Sequence, residues 1–432
     1  MSRLKFAILL IAATTAACTS QPSAVPAGAL DAIARDYVQL SLTIGEKEEG
    51  YIDAYYGPPE LQAAAKADAP KQNLDQLFAR TEALRARAAA FEKGDSPDAR
   101  RAKFLVAQLT AAATRLRMLR GEKLSFEDEA QGLFGVRPQL VPLANLDPIL
   151  AKIETLVPGA GPLADRVDAY QDRFNIPTDK LKPVFDAAIA ECKRRTLEHI
   201  ALPKNESFAM AFVTGKSWSG YNYYQGKAHS KIEINTDLPI RMSRAIDLGC
   251  HEGYPGHHVL NALLEQKLVR DKGWVEYSVY PLYSPQSLIA EGSANYGIEL
   301  AFPEGEATVF EQRVLYPAAG LDPALAGTFG ELQKALLSLA GARLTIARDL
   351  INGKIDEAEA ARLTQRYKLV SAERAKKDVD FIRQYRSYVI NYGLGLDMVR
   401  ASVERAGSTP SARWKRMEAI ISEPTLPSDL AR

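Results

Sequence analysis

"C-H-E-G-Y-P-G-H-H-V-L", residues 250–260, decides how this chain is read. The stretch holds three of the five histidines in 432 residues, and Glu252 directly follows the first of them. In the helical pattern H-E-x-x-H, two histidines four residues apart share one helix face and can hold a metal ion. Here that fourth place is Pro255, and the next histidines are His257 and His258. In an unbroken α-helix each residue turns about 100° and rises about 1.5 Å, so His257 would stand about 120° off the face of His251. His258 would lie about 10 Å along the axis. Pro255 has no N–H for the carbonyl of His251, and its ring clashes there. Gly256 opens backbone angles closed to other residues. A widened turn at Pro255-Gly256 that absorbs two residues returns His257 to the face of His251, whereas His258 needs three absorbed. The smaller distortion favours His257.

The residue types fit one chemistry. A catalytic zinc site needs about three protein ligands and an open position for water. A neighbouring carboxylate takes the proton of that water and passes it to the leaving group. His251 faces the metal in this reading, and Glu252, displaced around the helix, reaches the water. The third ligand in one large class of such sites is a glutamate on a later helix. "LIAEGSANYGIEL" (288–300) supplies Glu291, with Glu299 two turns on as the alternative. Asn295, four residues after Glu291, shares its face and is placed to hydrogen-bond a ligand histidine. The bland alternative is a solvated helix end at Pro255-Gly256 whose imidazoles make ordinary hydrogen bonds. His199 and His229 have no acidic or histidine neighbour at ligand spacing and read as structural.

Upstream, "SFAMAFVTG" (207–215), "GYNYYQG" (220–226) and "SKIEIN" (230–235) are rich in aromatic and β-favouring residues with turn glycines between them. They predict a small antiparallel sheet of three strands, whose edge beside the metal helix can accept an extended substrate as a further strand. Leu238-Pro239 then opens the helix that carries the quoted motif. Most of the remaining chain reads as helix. Ser96-Pro97-Asp98 is a start signal, followed by Ala102, Leu105, Leu109, Ala113 and Leu116 at helical spacing and a stop at Gly121. Thr178 opens another helix, with a kink expected at Pro183. A long helical stretch is expected from Asp322-Pro323 to Asn352-Gly353, and another from Ile355 with a break before Tyr367.

The chain is 47% hydrophobic and 25% charged with a formal net charge of +1, so it has an ample core and no basic excess that would suggest nucleic acid. "MSRLKFAILLIAATTAAC" (1–18) has a basic start, an apolar run and small residues before Cys18, as in a lipoprotein signal peptide. Residues 19–29 read as a flexible tether, 30–200 as an N-terminal helical part and 201–432 as a catalytic part sharing one cleft with it. Lipidated Cys18 would hold the protein at the membrane, in the cell envelope facing the periplasm; cleavage by an ordinary signal peptidase would leave a soluble periplasmic protein. Cys192 and Cys250 both fall in helical patterns and read as unpaired buried thiols.

The string H-E-G-Y-P-G-H, with "SKIEINTDLP" before it and "EGSANY" after it, resembles a bacterial family of exported proteins of unknown function with motifs H-E-x-x-P-G-H and E-G-x-A-x-Y. That family is grouped with the gluzincin-type zinc metallopeptidases and is distantly similar to the thermostable carboxypeptidase and oligopeptidase group. The resemblance is specific over residues 207–300. Further on, "NYGLGLDMV" (391–399) is similar to the family's Y-x-x-G segment. The resemblance implies Zn2+ held by His251, His257 and Glu291, with Glu252 as base and Tyr392 as oxyanion donor. "YRSYVINY" also offers Tyr385 and Tyr388, and Arg386 as a partner for a substrate carboxylate. The implied fold is mostly α, a helical, cleft-forming zincin-like metallopeptidase with a small antiparallel sheet beside the metal helix. The implied function is hydrolysis of peptide or oligopeptide substrates. The rivals are a non-catalytic envelope lipoprotein that binds peptide or a partner, and a zinc hydrolase of a non-peptide amide or ester.

Overall fold

The computed structural model describes residues 28–431. Cys18, the leader and nearly all of the tether therefore lie outside the described residues. The described residues are 67% helical, which places them in the mostly-α class. Among the described residues no helix is long and apolar enough to cross a membrane.

The helices begin where local chemistry dictates. Ser96 caps α1 (Pro97–Leu119) by accepting from the backbone N–H of Ala99 at 3.1 Å, and Gly121 leaves the helix with φ +93°. The apolar face of α1 is buried through Ala102, Leu105, Leu109 and Leu116. Helix α2 (Phe126–Phe134) follows, capped by Ser125. Helix α3 (Leu181–Leu197) is preceded by a 3-10 turn at Thr178–Lys180, and it corrects one expectation. Pro183 falls in the first turn of α3, where backbone N–H groups have no intrahelical acceptor, so no kink is required.

Three strands then form one sheet: β1 (Ser207–Val213), β2 (Gly220–Gly226) and β3 (His229–Asn235), in the order β1-β3-β2. Strands β2 and β3 make an antiparallel hairpin, closed at Lys227 and Ala228 with φ of 57° and 58°. Two successive positive φ values match the twist of a two-residue hairpin. Strand β1 joins the other side of β3 in parallel, with Ser207 opposite His229 and Val213 opposite Asn235. A second antiparallel ladder, which the sequence did not announce, pairs Ile52–Tyr55 with Val279–Pro281. It ties the N-terminal part to the segment entering the glutamate helix.

Past the sheet, Leu238-Pro239 does not open a helix. Arg241 bridges to Asn175, and α4 runs only from Ser243 to Glu252. Helices α5 (His257–Leu264) and α6 (Pro285–Ala301) follow. The long helix expected over 322–353 is broken. A 3-10 turn (Pro323–Leu325) and a helix (Ala326–Leu337) precede a tight turn at 338–340, where i→i+3 bonds replace helical ones. The turn sends Leu339 into a satellite core with Leu332, Ala342, Ile346 and Val379. Helix α7 (Gly341–Ile351) resumes after it. Helix α8 (Glu357–Lys368) passes through Tyr367 unbroken and stops at Leu369, whose φ is +51°. Helix α9 (Ala372–Tyr385), a 3-10 turn (Arg386–Val389) and α10 (Ile390–Arg405) complete the walls of the site. The main core is continuous and draws on residues from Leu30 to Leu430.

Candidate metal centre and cleft

Helix α4 delivers His251 and Glu252 in its last turn and stops at Gly253. The chain then crosses a non-helical turn whose Tyr254–Pro255 peptide bond is cis, and α5 begins at His257. The sequence predicts a widened turn within one helix; the structure has two helices instead. Gly253 N–H bonds to the carbonyl of Gly249 and Gly256 N–H to that of Cys250, each at 3.1 Å. The Pro255 ring fits a notch on α6, where a Cβ at Gly297 would lie 2.7 Å from its Cγ.

This turn brings the two imidazoles together. The rings of His251 and His257 are perpendicular with centroids 4.6 Å apart. Glu291 Oε2 lies 3.2 Å from His251 Nε2 and 3.7 Å from His257 Nε2. One ligand atom from each of His251, His257 and Glu291 falls within 4.8 Å of the others. Burial alone would raise the Glu291 carboxyl, but the two histidines hold it well below the usual carboxylate range. Burial lowers the His251 imidazole, and Glu291 and Glu252 more than reverse that. Two imidazole nitrogens and a carboxylate oxygen form a donor set suited to zinc. Glu291 Oε2 is buried and lacks an aligned hydrogen-bond donor, as a metal-facing oxygen would.

His251 and Glu291 are held from behind. Asn295 donates from its amide nitrogen to the carbonyl of Tyr392 at 3.1 Å, so its Oδ1 faces His251 Nδ1 at 2.9 Å. In the neutral imidazole the proton is then on Nδ1, and Nε2 points its lone pair toward Glu291. The spacing of Glu291 and Asn295 on one helix face predicts this contact. Tyr388 donates to Glu291 Oε1 at 2.7 Å and fixes the carboxylate plane. Tyr388 is itself anchored through Glu129 of α2. That fully buried carboxylate accepts from Ser387 N–H at 3.0 Å, Ser387 Oγ–H at 2.7 Å and Arg386 Nε–H at 2.7 Å. Arg386, expected as a carboxylate partner for substrate, is therefore spent on Glu129 and does not line the cleft.

His258 faces another way. It is fully buried, with Nδ1 2.8 Å from Ser230 Oγ and Nε2 3.0 Å from Glu206 Oε2. Glu206 also pairs with Lys193 at 2.6 Å and accepts from the Tyr254 hydroxyl at 2.5 Å, so one carboxylate pins the turn. His199 stacks on Trp414, His229 contacts Ser207, and Glu299 is paired with Arg400; none joins the cluster.

The cluster opens on a cleft of about 580 Å³. Glu252 lines it with Oε2 buried and without a hydrogen-bond partner. Burial pushes its carboxyl up, opposed by the two histidines. Room for it is made by Gly220 on β2, where a Cβ would lie 2.8 Å from Glu252 Oε1. Asn222, on the same strand, donates to the Glu252 carbonyl at 2.7 Å. Tyr392 lines the cleft with its ring 6.5 Å from that of His251. It reaches this place because α10 crosses α6 at two glycines. A Cβ at Gly292 would lie 2.4 Å from the carbonyl oxygen of Gly395, and one at Gly395 would lie 2.8 Å from that of Leu288. Tyr385 also borders the cleft, its ring tilted against that of Phe381 with centroids 4.5 Å apart. One wall residue went unread in the sequence: Asp53, on the N-terminal strand. It accepts from the Tyr221 hydroxyl, and burial raises its carboxyl to about 6. The only signal for it was an acid inside the aromatic run "YIDAYY".

Cys192 and Cys250 form a disulfide between α3 and α4, with Cα atoms 5.6 Å apart. This corrects the reading as free thiols. Two helices that each look self-contained in sequence pack side by side and bring the two sulfurs into bonding distance.

No family model matches the chain, and no curated protein matches it. Among solved structures it is similar to a candidate lipoprotein from Colwellia psychrerythraea, at 15% identity and a TM-score of 0.50, over 95% of this chain and 76% of that one. It also aligns with an M32 carboxypeptidase from Deinococcus radiodurans R1, at 14% identity and a TM-score of 0.42, over 90% of this chain and 88% of that one. At these identities the likeness to the first is one of fold, and it extends across nearly the whole described chain.

Proposed function

We propose that the protein is a zinc-dependent peptidase of the cell envelope, attached to the membrane through Cys18. The observation that carries this reading is the convergence of His251, His257 and Glu291 in a cleft that is also lined by Glu252, whose buried Oε2 has no hydrogen-bond partner. Zinc held by those three residues would polarise a peptide carbonyl and bring the pKa of a bound water to about 7. Glu252 Oε2 is the base: it takes the proton of the attacking water and delivers it to the leaving amine. Asn295 and Tyr388 keep His251 and Glu291 in register. Tyr392 offers its hydroxyl to the oxyanion. The burial that raises the Glu252 carboxyl makes it a better proton acceptor than an exposed carboxylate. A binding protein of the same fold has no use for an unpartnered buried carboxylate beside the ligand set.

Two measurements test the proposal. Metal analysis of protein purified without chelator should give about one zinc per chain, as expected of a single-metal site. Digestion of a mixed peptide library by zinc-loaded protein, read by mass spectrometry, should give new termini. Folded protein that stays metal-free after zinc incubation, or that leaves the library intact, ends this reading. Lipid mass on Cys18, lost in Cys18→Ser, is the corresponding check on attachment.

A further inference from the structure

The cleft is electrically divided. Asp53, Glu252 and Glu291 gather around the histidines, whereas Arg244, Arg343, Lys368 and Arg374 line the walls supplied by α4, α7, α8 and α9. Two carboxylates near these cations are each shared by a pair of them or of their neighbours. Asp378 lies 3.0 Å from Arg343 and 2.9 Å from Lys368. Asp168 lies 2.5 Å from Arg241 and 3.8 Å from Arg374. Arg374 otherwise donates to the Pro239 carbonyl at 3.2 Å, and Arg343 Nε is buried with no acceptor. Arg244 uses one guanidinium nitrogen on Asp247. Arg241 also pairs with Asp172 at 2.9 Å, so that group is balanced, whereas Arg343 and Lys368 have only Asp378 between them and leave spare positive charge and an unused N–H donor inside a concave wall.

Geometry relates this wall to the metal cluster. Arg244 precedes His251 by seven residues on α4, so it lies on the same face, two turns and about 10 Å away. Arg343 stands 5.7 Å from the Tyr392 ring, which is 6.5 Å from the His251 ring. An extended peptide advances about 3.3–3.6 Å per residue, so the wall lies within one to three residues of the scissile bond. Guanidinium donors match a carboxylate in a planar fork.

We propose that Arg244, Arg343, Lys368 and Arg374 form a carboxylate-binding subsite, and that the substrate is a short peptide with a carboxylate one to three residues past the bond that is cut. The carboxylate is either the C-terminus or an acidic side chain. The proposal rests on the peptidase reading for the word substrate, but binding alone tests it. Zinc-loaded Glu252→Gln protein is titrated calorimetrically with three tetrapeptides: a neutral sequence with a free C-terminus, the same sequence amidated, and the amidated sequence with a glutamate in place of one residue. The free acid should bind at least about tenfold more tightly than the neutral amide, the loss expected for a charge-assisted contact. Restoration by glutamate in the amidated peptide would assign the subsite to a side chain instead. Adding Arg244→Gln or Lys368→Gln should remove the preference while zinc content and thermal stability stay near normal. Equal binding of all three peptides, no binding of any, or a preference that survives both substitutions overturns the proposal. Charge-selective binding by wild-type protein that never cuts a peptide would sink the peptidase reading and leave this subsite standing.

Discussion

Gly256 lies against the carbonyl of His251 so closely that a Cβ at residue 256 would come within 1.8 Å of the oxygen. The clash is with backbone, which cannot step aside, so only glycine lets the chain double back and start a new helix at His257. The glycine thereby sets the distance between the two imidazoles. Gly256→Ala should destabilise the fold by about 1–3 kcal/mol, the usual cost of overpacking, and the folded fraction should lose tight zinc. Thermal melts and metal analysis check this; a variant with wild-type melting and full zinc would refute the assignment.

Glu252 has no partner at Oε2, so removing its charge should leave the architecture intact. Glu252→Gln should keep zinc and the wild-type melting temperature while turnover falls roughly 100- to 10,000-fold, the range for a general acid–base group. Near-normal hydrolysis would place the base elsewhere.

The adjacent histidines should separate cleanly. His257→Ala removes a proposed ligand and should abolish tight zinc with little effect on the core. His258→Ala takes the ring partner from Ser230 and one of three partners from Glu206 in a buried site, which costs about 1–3 kcal/mol of stability, and should retain zinc. The reverse pattern, zinc lost with His258 and kept without His257, would overturn the ligand set.

Tyr388 supports the ligand cluster through its hydrogen bond to Glu291. Tyr388→Phe should weaken zinc affinity about 10- to 100-fold, as loss of a hydrogen bond behind a ligand typically does. Competition with a chromogenic chelator reads this directly, and an unchanged affinity would remove Tyr388 from the support of the site.

Glu311 provides a pH-dependence separate from the metal centre. It is buried, and desolvation raises its carboxyl to about 7, so the folded protein holds the proton more tightly than the unfolded chain. Below the ordinary carboxylate value both states are protonated and nothing is lost. As pH rises through that value toward 7 the unfolded chain ionises first, and stability falls by an amount on the order of 3 kcal/mol. Glu311→Gln should flatten the stability profile between about pH 4.5 and 7. Denaturant midpoints across that range measure it; a variant with the wild-type slope would show that Glu311 is not the source.

The sequence was most legible where chemistry is local. Ser96-Pro97, Gly121 and the strand and hairpin regions carry their own start and stop signals, and each lies where it was read. Asn295 was found by helix spacing alone. The reading faltered where a neighbour decides. Pro183 has the same composition cost in the middle or first turn of a helix, and only the 3-10 turn before α3 tells which applies. Leu339 breaks a periodic stretch because a second core is waiting for it. Arg386 looked free because Glu129, its partner, lies 257 residues away. The basic wall was unreadable for the same reason: its four members come from four helices, and only packing brings them to one side of the cleft.

A chain in a reducing compartment carries Cys192 and Cys250 as thiols, and α4 is then held to α3 by packing alone. Oxidation adds a covalent strut that ends one residue before His251 and closes a separation of 58 residues. Such a cross-link is worth roughly 2–4 kcal/mol, acting mainly on the unfolded chain. Protein made in a reducing cytosol and protein matured in an oxidising one would share every residue yet differ in how firmly the histidine helix is tethered, so the compartment of production becomes part of the specimen.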